Sequence, residues 1–104
     1  MRDPLRVRYA NAAIDDLRKI ARDLAKARGT DFADQYVDTL VNSVAKLAEY
    51  PKRYRERARY GVGRRLFPLR PYNVFYVVEV DCVRILRIVH GRRRITKRQI
   101  GPGG

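Results

Sequence analysis

Six arginines, Arg64, Arg65, Arg87, Arg92, Arg93 and Arg94, are the residues of this chain best suited to chemistry. Guanidinium forks hold phosphate or carboxylate oxygens two at a time, so six of them converging at one end of a sheet would form a target-binding basic site. The competing reading is a set of arginines scattered over a surface. Arg87 bears on the choice, because it interrupts an otherwise apolar run and must find a partner if its face is covered. The remaining reactive inventory is thin. One His and one Cys, with no close carboxylate cluster, cannot supply the three or four ligands of an ordinary metal site, so neither a metal nor a cofactor is expected. Cys82 and His90 on one strand would lie roughly 26 Å apart, too far for a nucleophile and its base. His90 reads instead as a strand-end hydrogen-bonder and Cys82 as a small buried hydrophobe. Gly61-Val62-Gly63 is followed by Arg64-Arg65 and a strand, whereas a phosphate loop opens a helix, so this glycine pair reads as a turn. Tyr72 and Tyr76 would stack on bases only from an open strand; on a strand this apolar they read as core or interface.

The stretch that must position these residues is Pro71 to Gly91. From Tyr72 to Val80 nearly every residue is β-branched or aromatic, with Tyr72, Val74, Tyr76, Val78 and Val80 on one face and Asn73, Phe75, Val77 and Glu79 on the other. The run resumes at Val83 and continues to His90. Nothing between is long enough for a crossover, so an antiparallel hairpin is expected.

Upstream, Leu5 to Tyr9 alternates apolar and basic residues and reads as a short strand. Asn11 is placed to cap a first helix, with Asp15 and Asp16 in its first turns and Ile14, Leu17, Ala21 and Leu24 at helical spacing. Gly29 stops it. Thr30 or Asp31 is placed to cap a second helix, whose apolar face runs from Phe32 through Tyr36, Leu40 and Val44 to Leu47 and which ends before Pro51. The short connection makes the two an antiparallel helical hairpin. Lys52 to Gly63 reads as a basic loop, Arg64 to Leu69 as a strand, and residues 96–104 as a basic mobile tail. The order β-α-α-β-β-β gives an α+β domain spanning residues 1–104, ordered over about 5–95, with a small, mainly antiparallel sheet and the helices on one face.

Length and composition agree with one domain and one core. The 104 residues carry a net charge of +13 with 45% hydrophobic residues, so disorder is excluded and a polyanionic partner is implied. Beyond Lys52 the acids are only Glu56, Glu79 and Asp81. A lone cysteine fits a reducing compartment. No apolar run approaches the ~20 residues that span a bilayer, and Met1-Arg2-Asp3 lacks a signal region. No membrane is expected as a partner, and a cytoplasmic location follows.

Over residues 7 to 95 the chain resembles the ParE branch of the RelE/ParE toxins of type II toxin-antitoxin modules. The carrying residues are Ala13-Ile14-Asp15-Asp16-Leu17 with Ile20, Ala33 through Tyr36, Leu47-Ala48 with Pro51, Gly63-Arg64-Arg65, Pro71 through Tyr76, and Val83 through Arg93. Each piece is weak alone; their order and spacing make the match.

The resemblance implies the β-α-α-β-β-β layout and one of two activities. RelE-like members are ribosome-dependent messenger ribonucleases, which need no metal and use Lys, Arg and Tyr; ParE-like members lack that set and poison DNA gyrase. The ribonucleases carry an Arg where this chain has Asn73, a basic residue at Leu66 and a Tyr near Gln99, while Arg64 and Arg93 match. Arginines without acid-base partners leave electrostatics but no proton transfer. The resemblance therefore implies a non-enzymatic gyrase inhibitor, with a ribonuclease and a basic nucleic-acid-binding module as alternatives. It also implies neutralisation by a ParD-like antitoxin with an acidic toxin-binding tail, in a hetero-oligomer.

Overall fold

The computed structural model describes residues 5–101, and at its centre is the hairpin of β3 (Tyr72–Val78) and β4 (Cys82–His90), paired antiparallel. The period of two sends Val74 and Tyr76 to one face of the sheet and Phe75 and Val77 to the other, and both sets are buried. β3 stops at Val78, short of the expected end, and Val80 stands fully exposed at the turn. Glu79 closes that turn: its backbone N donates to Cys82 O (2.8 Å), and its carboxylate accepts from Cys82 Sγ and from Arg84 Nε. The thiol and then the guanidinium hold the Glu79 carboxyl below the usual range.

β2 (Arg64–Leu69) pairs antiparallel with the free side of β3, and β1 (Arg6–Tyr9) lies beside β4, giving the order β1-β4-β3-β2. β1 runs parallel to β4, the one parallel pair in a mostly antiparallel sheet. A bulge opposite Phe75 and Tyr76 inserts Leu86 into β4. Ile85 and Ile88 thus face the helices while Leu86 and Val89 face away.

α1 (Asn11–Arg28) and α2 (Thr30–Ala45) form the expected helical hairpin on one face of the sheet. Their caps differ from expectation. Ala10, extended, precedes α1 without a side-chain cap, so Asn11 is the first helical residue. Gly29, at φ 92°, both ends α1 and starts α2, and neither Thr30 nor Asp31 caps. A left-handed residue is cheap only as glycine, and it supplies the reversal that a polar cap would otherwise mark. Asp31 in the first turn still suits the helix dipole. Ala13, Ile20, Leu40, Val44 and Leu47 pack against Val74, Tyr76, Val83, Ile85 and Ile88 as the front core. No helix is long and apolar enough to cross a membrane.

The back face of the sheet is also covered. Ile95 and Ile100 are buried against Leu66, Phe75, Val77, Leu86 and Val89, with Tyr60 packed alongside. The segment read as a mobile tail from residue 96 instead forms α3 (Lys97–Ile100), opened by a capping box between Thr96 and Gln99. Two isoleucines five apart give no period, yet a single capped turn brings both onto the sheet. Residues 102–104 of that expected tail lie outside the described residues.

Candidate functional site

β1 ends at Tyr9 opposite Ile85, so the last part of β4 has no neighbouring strand on that side. Asp16, in the second turn of α1, takes the vacated place. Its Oδ2 accepts from the Ile88 backbone N (2.9 Å) and from Arg87 Nε (2.7 Å), and its Oδ1 accepts from Arg87 Nη2 (3.0 Å). Both side chains are 13% exposed. The Asp16 hydrogen bond drives the Arg87 pKa up from its ordinary value. Arg87 also donates to Gln99 O (2.8 Å), so it joins α1 on the front to α3 on the back. The arginine that interrupts the apolar strand has its partner, and that partner is internal.

Arg64 is buried and donates to the carbonyls of Tyr60, Lys97 and Gly101. Gly61 makes room for it: at φ 119°, a Cβ there would stand 2.8 Å from the Arg64 side chain. Arg65 turns to the other face and donates to Tyr54 O (2.7 Å) and Glu56 (3.4 Å), with its side chain 11% exposed. Arg64, Arg65 and Arg87 are thus enclosed by acceptors of the protein itself. Arg92, Arg93 and Arg94 stand exposed on the turn after β4. The six arginines do not converge: two grip the backbone of the α3 segment, one faces the opposite side, and three meet solvent. Lys97 and Arg98, exposed on α3, join those three as cations; the sequence marks them as basic but gives a tail no reason to hold them in place.

His90 ends β4 as an acceptor, its Nδ1 taking the Arg92 backbone N–H (3.1 Å). It lines a cleft of about 250 Å³ with Asp16, Lys19, Asp23, Tyr72 and Arg93. Burial, then Tyr36 and Asp23, raises the Tyr72 phenol pKa. Tyr76 is fully buried, donates its hydroxyl to Pro51 O (2.8 Å), and is raised chiefly by burial. Leu66 is buried in the back core, Asn73 is half-buried, and the Gln99 side chain accepts from Thr96 N (2.8 Å). None of these three can take or give a proton near neutral pH. Among the described residues no group of His, Cys, Asp and Glu is placed to hold a metal ion.

A second surface is apolar. Leu5, Tyr50, Pro51, Val78 and Val80 line an open groove of about 870 Å³, bordered by the charged Glu49, Lys52, Arg53 and Glu79, with Tyr50 71% exposed and Val80 fully so.

Residues 7–95 match the family model described as the ParE toxin of the type II toxin-antitoxin system. The chain is similar to Toxin ParE3 of Caulobacter vibrioides, 29% identical over 80 residues that cover 77% of this chain and 80% of that protein. Two solved structures share the fold. One, a chromosomal ParDE system from P. aeruginosa, aligns with a TM-score of 0.73 and 23% identity over 83% of this chain and 95% of its own. The other, the RelBE2 toxin-antitoxin complex of Mycobacterium tuberculosis, aligns at 0.65 and 22% over 85% and 99%.

Proposed function

Since this chain belongs to the ParE toxins of type II toxin-antitoxin systems, we propose that it inhibits DNA gyrase in the cytoplasm without cutting RNA. The observation that carries this reading is the set Leu66, Asn73 and Gln99, at the positions where the ribonucleases of the superfamily bear basic or phenolic groups. Leu66 is spent on the core and Gln99 on a helix cap. Without an acid-base pair, what remains is charge. The exposed Arg92, Arg93 and Arg94 are suited to meet an anionic target, and such charge both steers encounter and holds the complex; Arg64 and Arg87 would serve it by fixing the segment that follows, while Arg65 holds the loop at Tyr54 and Glu56.

Neutralisation belongs to a cognate, ParD-like antitoxin in a hetero-oligomer. The groove around Tyr50 and Val80 offers apolar area for one part of such a partner, and the net charge of +13 favours an acidic one. The ribonuclease remains a second reading for one reason. Arg93, Tyr72, His90 and Lys19 line a common cleft, which brings cations, a phenol and an imidazole together. Pure protein assayed against gyrase supercoiling and against ribosome-bound message separates the two: inhibition without cleavage is expected, and cleavage with normal supercoiling would overturn the reading.

A further inference from the structure

We propose that Arg92, Arg93, Arg94, Lys97 and Arg98 form a face that grips the phosphate backbone of duplex DNA directly. All five are exposed, and among the described residues none of their side chains has a hydrogen-bond or ion-pair partner. Asp81 is the last carboxylate side chain in the sequence; Asp16 and Asp23 share a cleft with Arg93, but Asp16 is already bound to Arg87 and neither forms an ion pair with Arg93.

These cations are held in place. Ile95 and Ile100 are buried beneath them, the capping box sets the turn between, and Arg64 and Arg87 bind the carbonyls of Lys97, Gln99 and Gly101. A charged tail kept only for solubility needs no such anchorage.

The class of partner follows from what the face lacks. Protein interfaces are centred on buried apolar or aromatic anchors, and every exposed residue from Gly91 to Gln99 is glycine, threonine, glutamine or a cation. Phosphate backbone contact needs only cations and polar donors. Single strands are held on aromatic platforms, and none is exposed here. A four-residue helix is too short to read bases in a groove, so binding is independent of sequence. The choice of DNA over duplex RNA rests on the gyrase reading, since that enzyme works on DNA; the grip itself does not.

The test is fluorescence anisotropy of a labelled duplex of arbitrary sequence with the full chain, over a range of salt. With three or four phosphates neutralised, log affinity should fall against log salt with a slope of about −3. Arg92→Gln/Arg93→Gln/Lys97→Gln should weaken binding at least about tenfold and flatten that slope by about 2. Arg22→Gln/Lys26→Gln/Lys46→Gln removes equal charge from exposed helical positions and should change little. Thermal melts check that both variants fold. The proposal is overturned if the wild type does not bind at low salt, or if the helical control loses as much as the first variant. It is equally overturned if polyglutamate or a single strand displaces the DNA as well as DNA itself does, whereas duplex RNA competing equally overturns the choice of DNA and not the grip. Supercoiling is read separately with the same proteins. Gyrase inhibition without DNA binding defeats this inference alone, whereas DNA binding without inhibition defeats the gyrase reading alone.

Discussion

The two faces of the sheet are closed by opposite means. On the front, α1 and α2 satisfy their own backbone bonds and, Asp16 at the edge apart, contribute apolar side chains, so the core there is aliphatic and aromatic. On the back, the cover is a 3-10 turn at Ala58–Tyr60, a loop and four residues of helix, which leave carbonyls without ladder partners. Carbonyls that face protein still need donors, and Arg64 and Arg87, held mostly out of solvent, supply them. The difference teaches that an arginine in a basic toxin is not by default a ligand-binding arginine. Where cover is irregular, guanidinium is the cheapest source of several donors at once.

The largest expected effect is on the front. Ile85→Ala, in the central strand, should cost about 4 kcal/mol, seen as a lower urea midpoint for the whole molecule. Asp16→Ala should follow at about 3 kcal/mol, because it leaves the Arg87 guanidinium with only the Gln99 carbonyl and no counter-charge, and the Ile88 N–H without its acceptor. Asp16→Ala/Arg87→Met should recover a large part of that; a double variant no better than the single would show that Asp16 acts on Ile88 alone. Ile100→Ala should cost about 2 kcal/mol, and hydrogen exchange should show it loosening residues 95–101 while α1 and α2 stay protected. If Ile85→Ala and Ile100→Ala expose the same amides, the contrast between the faces is wrong. Arg93→Ala should lie within about 0.5 kcal/mol of wild type in stability yet weaken gyrase inhibition about thirtyfold. His90→Ala should change neither by much, and a folded but inert His90→Ala protein would reopen a catalytic histidine.

The helical hairpin and the two-faced character of β3 were legible in the sequence, because long amphipathic runs and a nine-residue stretch rich in β-branched and aromatic residues state their own periods. Val74 and Tyr76 against Phe75 and Val77 came out on the faces that alternation assigns. The parallel neighbour of β1 was not legible, since nothing in Leu5 to Tyr9 specifies which strand edge it meets. Nor were the roles of Arg64, Arg65 and Arg87. Their carbonyl acceptors are fixed by where distant backbone comes to rest, and basic spacing along the chain carries no trace of that. The caps failed for a local reason: Asn11 and Thr30 are good capping types, but Gly29 and the extended Ala10 turn the backbone without them.

The place of β1 beside β4 has a consequence for the order in which the molecule assembles. The helical hairpin and the β3–β4 hairpin are local and close quickly, whereas β1 can dock only against the last strand to be made. Made from its N-terminus, the nascent chain leaves Val7 and Tyr9, which pack on the front core, uncovered until Cys82–Ile85 has emerged. The front core is therefore closed only once β4 has been made, and until then the apolar side of β1 lies open. Nascent chains halted before Cys82 should accordingly remain open to proteolysis near residues 6–9, and protection there at that length would show that β1 finds another partner first.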